Sequence, residues 1–536
     1  MSFVLARRFG PQLALGLVWV VFVVTGWIGL DYGTHWDEGV AIDQVTRPLR
    51  DGIFLPGTYH YPGMMFNIGT IALLPETIPF LARAAKEAPL PKNNQSYQDI
   101  VPTEKIAPIL SFAESQAFLL RLRAVFLLVT SLTGMWVFLA IRACKRSGWE
   151  AAGGAAVILT SWEIAYHARF VAPDAIQMQF VALWLLFFAF ALHSSSHSLR
   201  WLRLSAATAG LACGTKYQGV VVLLPVLIYA VRLSSPSFSF RAAAKEVAYN
   251  VAIFLGVFIA STPGLLLEPL VACQALRAIQ NQYAHGHYGY TVDPVGQHGY
   301  LLFVYLTCVV ASHWPIAAGM LSAAAFLGAA RMWKEQRLIA FLLLGAPLVY
   351  FCYVIWYRAM IVRNYLLFAP FIAFCVARGM FYVWKSLANA IWIRRLVVAC
   401  FLVVFVSNMI FLCFAAQTVR LRTTTPFGRD VVTYLRKHSG QQYFLAPKVA
   451  KAVAEESVTL TNTTRDSNAA QGCLLFLQDI EPEQLGKWTA NRLGHYHVVS
   501  GPLEVNFDYY PSWYAAPTVV ELSMKRARKM RLFEKE

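Results

Sequence analysis

The chain has 536 residues, 57% apolar and 14% charged, with a mean hydropathy of +0.49, whereas a soluble domain is about 45–50% apolar and about 25% charged. Its 46 Lys and Arg outnumber 29 Asp and Glu, for a formal net charge of +17. This combination excludes a soluble enzyme, a disordered chain and a disulfide-rich secreted module; it leaves a multi-span membrane protein or a membrane protein that grips nucleic acid.

A helix needs about 20 apolar residues to cross the hydrocarbon. Such windows predict eleven spans, at roughly 11–30, 118–141, 152–166, 175–193, 204–214, 219–232, 247–263, 300–329, 338–356, 365–383 and 396–416. The first is longer than a signal-peptide core and lacks a small-residue cleavage site after it, so it reads as retained. One set of connections is short and basic: Arg7 and Arg8; Arg142, Lys145 and Arg146; Arg200 and Arg203; Arg232, Arg241 and Lys245; Arg331, Lys334 and Arg337; Lys385, Arg394 and Arg395. Only Glu150, Glu246 and Glu335 accompany them. Positive-inside logic puts this set in the cytoplasm, with the N-terminus inside and, after an odd number of spans, the C-terminus outside.

The other connections include two long outer loops, 31–117 and 264–299. Windows 152–166, 204–214 and 219–232 are short for a full crossing. Either a boundary is displaced or a tilted neighbour fills the gap, or these helices stop inside the membrane beside a cavity, where irregular backbone is tolerated. From about 417 to 536 the composition changes, with 16 Lys and Arg, 12 Asp and Glu and no long apolar run. Strands are predicted at 442–445 and 497–499 and helices at 428–437 and 448–455. The expected organisation is an α-helical polytopic membrane domain over 1–416 and a small soluble α/β extracytoplasmic domain over 417–536. Nine scattered cysteines form no C-x-x-C pair and build no disulfide framework. The sequons at Asn94 and Asn462 are short enough to arise by chance.

Ionisable residues in or beside spans are costly and need a reason. Just after the first span comes His35-Trp36-Asp37-Glu38-Gly39. Adjacent carboxylates at a span mouth suit a general base and a substrate or metal ligand, and equally an ordinary hydrated loop start. Tyr166-His167-Ala168-Arg169 through Asp174 joins two spans outside. Arg169 fits a phosphate through its guanidinium fork, or pairs with Asp174 across the turn. Lys216 and Tyr217 lie between the two short spans, where a snorkelling Lys is the bland alternative. Arg358 and Arg363, beside Asn364 and Tyr365, complete four cations in outer turns that the topology rule expects to be poor in them. An anionic head group at the outer surface is the reading that follows. His60 and Tyr61 in the first loop, with His285, His287, Tyr288 and Tyr290 in the second, suit sugar faces and membrane interfaces alike. Glu38 with His285 and His287 is the one candidate set for a divalent metal; a plain surface His pair is the alternative, and no other cofactor is indicated.

In this order, these features resemble the GT-C superfamily of integral-membrane glycosyltransferases, in particular the protein O-mannosyltransferase and aminoarabinose transferase branch. The resemblance rests on Asp37-Glu38, on the turn from Arg169 to Asp174, on Gly210, Gly214 and Lys216 with slightly shifted spacing, and on Arg363 to Pro370. It covers about residues 5–416. Ala41 and Ile42 stand where the family often has a Tyr. The resemblance implies a polyprenyl- or dolichyl-phosphate-sugar donor, transfer to an acceptor hydroxyl on the outer face, and inversion at the anomeric carbon. It makes Asp37 the general base, with Glu38 positioning the acceptor or a metal. Arg169, Lys216, Arg358 and Arg363 would bind the lipid phosphate, while His60, Tyr61, His167, Asp174 and Tyr217 would line the substrate cavity.

The partners implied are a lipid-linked sugar donor, membrane lipids, and an acceptor that is a glycan, a lipid or a protein. The location would be a membrane crossed many times, the plasma (inner) membrane if the source is bacterial, with the site on the extracytoplasmic side. A transporter or flippase of a lipid-linked saccharide is the rival class, though no repeated halves are found. The basic run Lys525 to Arg531 lies outside on this topology, which favours anionic lipid head groups over nucleic acid.

Overall fold

A computed structural model describes residues 2–31, 36–52, 54–87, 103–194, 197–233, 240–286, 291–292, 294–423, 427–446, 449–450, 453–454, 460–464, 474–478, 496–503 and 530–535. Eight helices among them are long and apolar enough to cross a membrane: Phe9–Trp27, Gln116–Ala143, Pro173–His193, Phe240–Ser261, Pro315–Glu335, Arg337–Val354, Val362–Ser386 and Ile391–Gln417. Each falls on one of the eleven predicted windows. The three short windows are helical too, two of them interrupted and one continuous over 18 residues. One divides into Gly148–Leu159 and Trp162–His167, one is the helix Ser198–Thr215, and one is a 3-10 turn, Tyr217–Val222, running into Leu223–Leu233.

Local chemistry explains where these helices start. Ser115, Ser147 and Ser161 are N-caps whose hydroxyls accept from Phe118, Glu150 and Ile164 amides, each satisfying an orphan donor of the first turn. Pro173 occupies the first turn of Pro173–His193, where its missing N–H costs nothing. Apolar side chains such as Leu13, Leu17, Ile316, Leu402 and Phe414 are exposed, as expected of helices whose outer faces meet lipid.

Two expectations need correction. The window 300–329 is not one helix: it breaks between Gly299–Cys308 and Pro315–Glu335. Other helices satisfy the break, since Ser161 Oγ donates to Val310 O at 2.6 Å and Ser312 Oγ donates to Asn408 Oδ1 at 2.8 Å. The two long outer connections are largely helical, with Trp36–Asp51, Met64–Glu87 and Thr103–Ala113 in the first and Gly264–Leu267 and Pro269–His285 in the second. The helices of the first loop bury Ala41, Val45, Met64, Met65 and Ile109 against Phe118, Leu122 and Phe126 of Gln116–Ala143.

The chain divides into two compact units, one of residues 1–30, 35–287 and 291–415 and the other of residues 31–34, 288–290 and 416–536. The second contains the helix Phe427–Lys437 and five strands: β1 Tyr443–Leu445, β2 Thr463–Thr464, β3 Leu474–Gln478, β4 Tyr496–Leu503 and β5 Met530–Lys535. Their order is β2-β1-β3-β5-β4, with β1 parallel to both neighbours and β5 antiparallel to both of its own. Val431, Val432, Leu435 and Tyr443 are buried there. Asn462 is buried as well, and its Nδ2 donates to Leu435 O at 2.7 Å, so this sequon asparagine serves the fold. Asn94 and Lys525 to Lys529 lie outside the described residues. Arg531 is part of β5.

Candidate active site

The first unit contains a buried cluster of alternating charges. Asp37, Asp174, Lys216 and Arg363 are each at most 5% exposed. Irregular backbone or a helix end delivers every one of them. Asp37 lies in the first turn of Trp36–Asp51 and Asp174 in the first turn of Pro173–His193, where the helix dipole favours a carboxylate. Lys216 is the extended residue that ends Ser198–Thr215 (φ −154°, ψ 132°). The turn after it is so tight that a Cβ on Gly219 would run into the Ala212 backbone. Arg363 and Asn364 sit in the 3-10 turn Val362–Phe368.

Arg363 is the hub. Its Nη2 donates to Asp37 Oδ2 at 2.9 Å and its Nε to Asp174 Oδ2 at 3.0 Å. Lys216 Nζ donates to the other Asp174 oxygen, and to Asn364 Oδ1 at 2.5 Å. Asn364 Nδ2 donates to Tyr283 Oη at 2.5 Å, and Tyr61 Oη donates to Asp37 Oδ1 at 3.0 Å. The four ions balance, which is how buried charge is tolerated. Burial pushes the Asp37 carboxyl above its ordinary value, and the Arg363 guanidinium only partly offsets this. A carboxyl so shifted is a better proton acceptor near neutral pH.

Glu38, the neighbour of Asp37, faces another partner. Its two oxygens accept Nε and Nη2 of Arg123 at 2.7 Å each, and Oε1 accepts the Val171 amide at 3.2 Å. Arg123, inside the second predicted span and fully buried, is a residue sequence reasoning missed. An arginine within an apolar window was the available signal. This bidentate pair does not suit Glu38 to a metal or an acceptor. His285 is exposed and its Nδ1 engages Asn281 O of its own helix at 3.0 Å, while His287 lies outside the described residues. Among those described, no group of three His, Cys, Asp or Glu is arranged to hold a metal.

The remaining expected residues divide. Arg169 is buried, donates to Thr25 O at 2.7 Å and lies over the Trp162 ring. His167 is buried against Glu163 at 3.2 Å, and Tyr305 Oη donates to the same Glu163 oxygen at 2.8 Å. Tyr217 Oη donates to Tyr59 O at 2.9 Å. Arg358 and His60 are exposed and stand outside the buried cluster. Gly210 and Gly214 act in packing: a Cβ on either would collide with Phe254 O and Val257, or with Ser261, of Phe240–Ser261, a close small-residue crossing of the kind membrane helices use.

The second outer connection is stitched to the chain just before Arg363. Arg358 N donates to Tyr283 O at 2.9 Å and Val292 N donates to Arg358 O at 2.8 Å. His298, fully buried, bonds Tyr357 O through Nδ1 at 2.7 Å and Tyr365 Oη through Nε2 at 2.6 Å. The carbonyl can only accept, so Nδ1 donates. Tyr283 and His298 thereby hold the 3-10 turn from one side.

Residues 113–265 match the family model of dolichyl-phosphate-mannose-protein mannosyltransferases. That segment contains Arg123, Arg169, Asp174, Gly210, Gly214 and Lys216, so the glycosyltransferase resemblance read from the ordered motifs is matched over it. No curated protein matches the chain by sequence. Among solved structures, ArnT from Cupriavidus metallidurans bound to undecaprenyl phosphate is similar at 13% identity and a TM-score of 0.47, over 91% of this chain and 96% of that one. The oligosaccharyltransferase of Archaeoglobus fulgidus in its apo form is similar at 13% identity and a TM-score of 0.47, over 86% of this chain and 61% of that one. The arabinofuranosyltransferase AftD from Mycobacteria is similar at 15% identity and a TM-score of 0.40, over 82% of this chain and 29% of that one.

Proposed function

We propose that this protein is an integral-membrane glycosyltransferase of the GT-C superfamily. It moves a sugar from a polyprenyl- or dolichyl-phosphate carrier to an acceptor hydroxyl on the extracytoplasmic face. The observation that carries this reading is the joining of Asp37 to Asp174 and Lys216 through Arg363 in one buried cluster, two of whose members lie in the segment matching the mannosyltransferase family. The family description names a dolichyl-phosphate-linked donor, and the ArnT structure holds undecaprenyl phosphate.

In this reaction the acceptor oxygen attacks the anomeric carbon from the face opposite the leaving group, and the configuration inverts. The carbon–oxygen bond to phosphate breaks, and its electron pair stays on the phosphate oxygen. The acceptor proton passes to Asp37. Arg363 and Lys216 stabilise the charge that builds on the departing phosphate, and they act strongly because the site is dry. Arg363 also touches the base, so one side chain registers the acceptor end against the donor end. Arg169 serves the fold between the first span and the Trp162 helix in this assignment, and Glu38 holds Arg123.

The test is incubation of the purified protein with polyprenyl-phosphate sugars labelled in the sugar, together with membrane extract as acceptor source. A new glycosidic bond of inverted configuration supports the reading. Movement of the intact donor across a vesicle membrane without bond formation would show a flippase instead.

A further inference from the structure

We infer that the Tyr350 hydroxyl binds the sugar carried by the lipid donor, which makes the helix Arg337–Val354 a recognition wall of the site; this rests on the transfer reaction proposed above. Tyr350 is 2% exposed, and its buried Oη has no hydrogen-bond partner among the described residues. Buried hydroxyls are nearly always paired, so an orphan facing a cluster of ionisable groups points to a partner that is not protein.

The surroundings of that hydroxyl define the partner. The groups that act on it most strongly are Tyr365, Tyr283, Asp174 and Tyr353. Its ring lies 6.4 Å from Tyr365 and 5.6 Å from Phe368, centroid to centroid. Tyr365 is the residue after Asn364, and Asn364 bonds both Lys216 and Tyr283, so Tyr350 packs against the turn that holds the proposed phosphate cations. Its ring neighbours, Tyr365 and Phe368, carry no charge, which disfavours a phosphate at this spot. Both Asp174 oxygens are already taken by Lys216 and Arg363. What remains is a neutral lining of phenols and an apolar ring, suited to a polyol with an apolar ring face and hydroxyls at its edge. Asp174, which acts on this hydroxyl, pairs with the two cations proposed to hold the leaving phosphate, and this assigns the polyol to the donor.

The test uses the full-length protein in nanodiscs and measures binding of two probes: polyprenyl phosphate, and a panel of polyprenyl-phosphate hexoses and pentoses. For Tyr350→Phe we expect an unchanged melting temperature, unchanged affinity for polyprenyl phosphate, and about 3- to 10-fold weaker binding of the sugar-bearing lipid the wild type prefers. Equal loss for both probes, or loss accompanied by a lower melting temperature, would assign Tyr350 to the phosphate or to the fold and overturn the inference. Unchanged binding of both would mean the hydroxyl meets only water, and would overturn it too. If the wild type binds the sugar lipid with the expected dependence on Tyr350 yet transfers nothing, the reaction reading fails while the sugar assignment stands.

Discussion

Two buried arginines on the segment Val362–Ser386 each bridge two carboxylates, in different surroundings. Arg363 bridges Asp37 and Asp174; Arg378 bridges Glu150, at 3.7 Å, and Glu335. Around Arg363 both carboxylates are sealed from solvent and carry further partners, Tyr61 on one and Lys216 on the other. The side chains come from helix starts, a helix end and a 3-10 turn. Around Arg378, Glu150 likewise lies in a first helical turn and Glu335 ends its helix, but the arginine itself is mid-helix and the Glu335 side chain is 32% exposed. The next residue, Gly379, abuts the Ala324 backbone, so the cluster lies at a tight helix crossing. Charge pairing alone therefore does not mark a reactive site. Charge pairing with every carboxylate sealed from solvent, an arginine held in a 3-10 turn and an unpartnered hydroxyl nearby is the more informative combination.

The sharpest way to break this comparison is to neutralise one member of each cluster. Asp37→Asn should lower the transfer rate per folded molecule about 10²- to 10⁴-fold, the range expected for loss of a general base. Near-normal turnover in that variant would remove Asp37 from the role of base. Arg378→Met should do the reverse, destabilising by about 3–5 kcal/mol because Glu150 is left buried without its counter-charge. Activity per folded molecule should persist, and adding Glu150→Gln should restore much of the stability. An Arg378→Met variant that is stable but inactive would show that the second cluster also serves the chemistry.

The sequence reveals these two regions unequally. The eleven windows show where helices run, because apolar length is a property of the chain itself. They do not show the break at Val310 to Ser312, since that break is stabilised by Ser161 and Asn408 from distant helices. Asp37, Asp174, Lys216 and Arg363 stand out in the sequence as charges in turns expected on the outer side, but their convergence is tertiary. The same turn-based logic also selects Arg358 and His60, which the fold leaves exposed; sequence position assigns a residue to a connection and not a direction to its side chain. Tyr283 and Tyr350 are two of 24 tyrosines with no motif to distinguish them. Arg123 was visible as a charge in a span, but its partner Glu38 was not deducible.

A milder change probes the scaffold that links the two clusters. A Cβ on Gly379 would sit against the Ala324 carbonyl oxygen, and one on Gly328 against Cys375 O. Both obstacles are backbone, so the helices Pro315–Glu335 and Ala369–Ser386 must separate to admit a methyl group. Gly379→Ala should cost about 1–3 kcal/mol by thermal or denaturant unfolding. If the crossing only supports the fold, the pH dependence of transfer should be the same as in the wild type. A displaced pH profile would mean that strain at the crossing reaches Asp37 through the helix that follows Arg363.

The smallest effect we expect is also the most specific to the reactive region. Arg363, Asp174, Lys216 and Tyr61 are the groups acting on Asp37. Burial raises its pKa, Arg363 and Lys216 lower it, and Asp174 raises it; the Tyr61 hydroxyl lowers it by donating to the ionised form. The wild-type rate should therefore fall on the acid side as pH drops through a value above the usual carboxylate range, because a protonated Asp37 cannot accept the acceptor's proton. Tyr61→Phe removes a bond made to the charged form, so the Asp37 pKa should rise further and the acid limb should move to higher pH. On the alkaline side, where Asp37 is ionised in both proteins, their rates should differ by only a few-fold. This split matters because simple loss of packing at Tyr61 would lower the rate equally at every pH. A profile of kcat/KM against pH for the two proteins separates these outcomes, and an acid limb that stays in place would remove Asp37 as the group whose ionisation limits transfer.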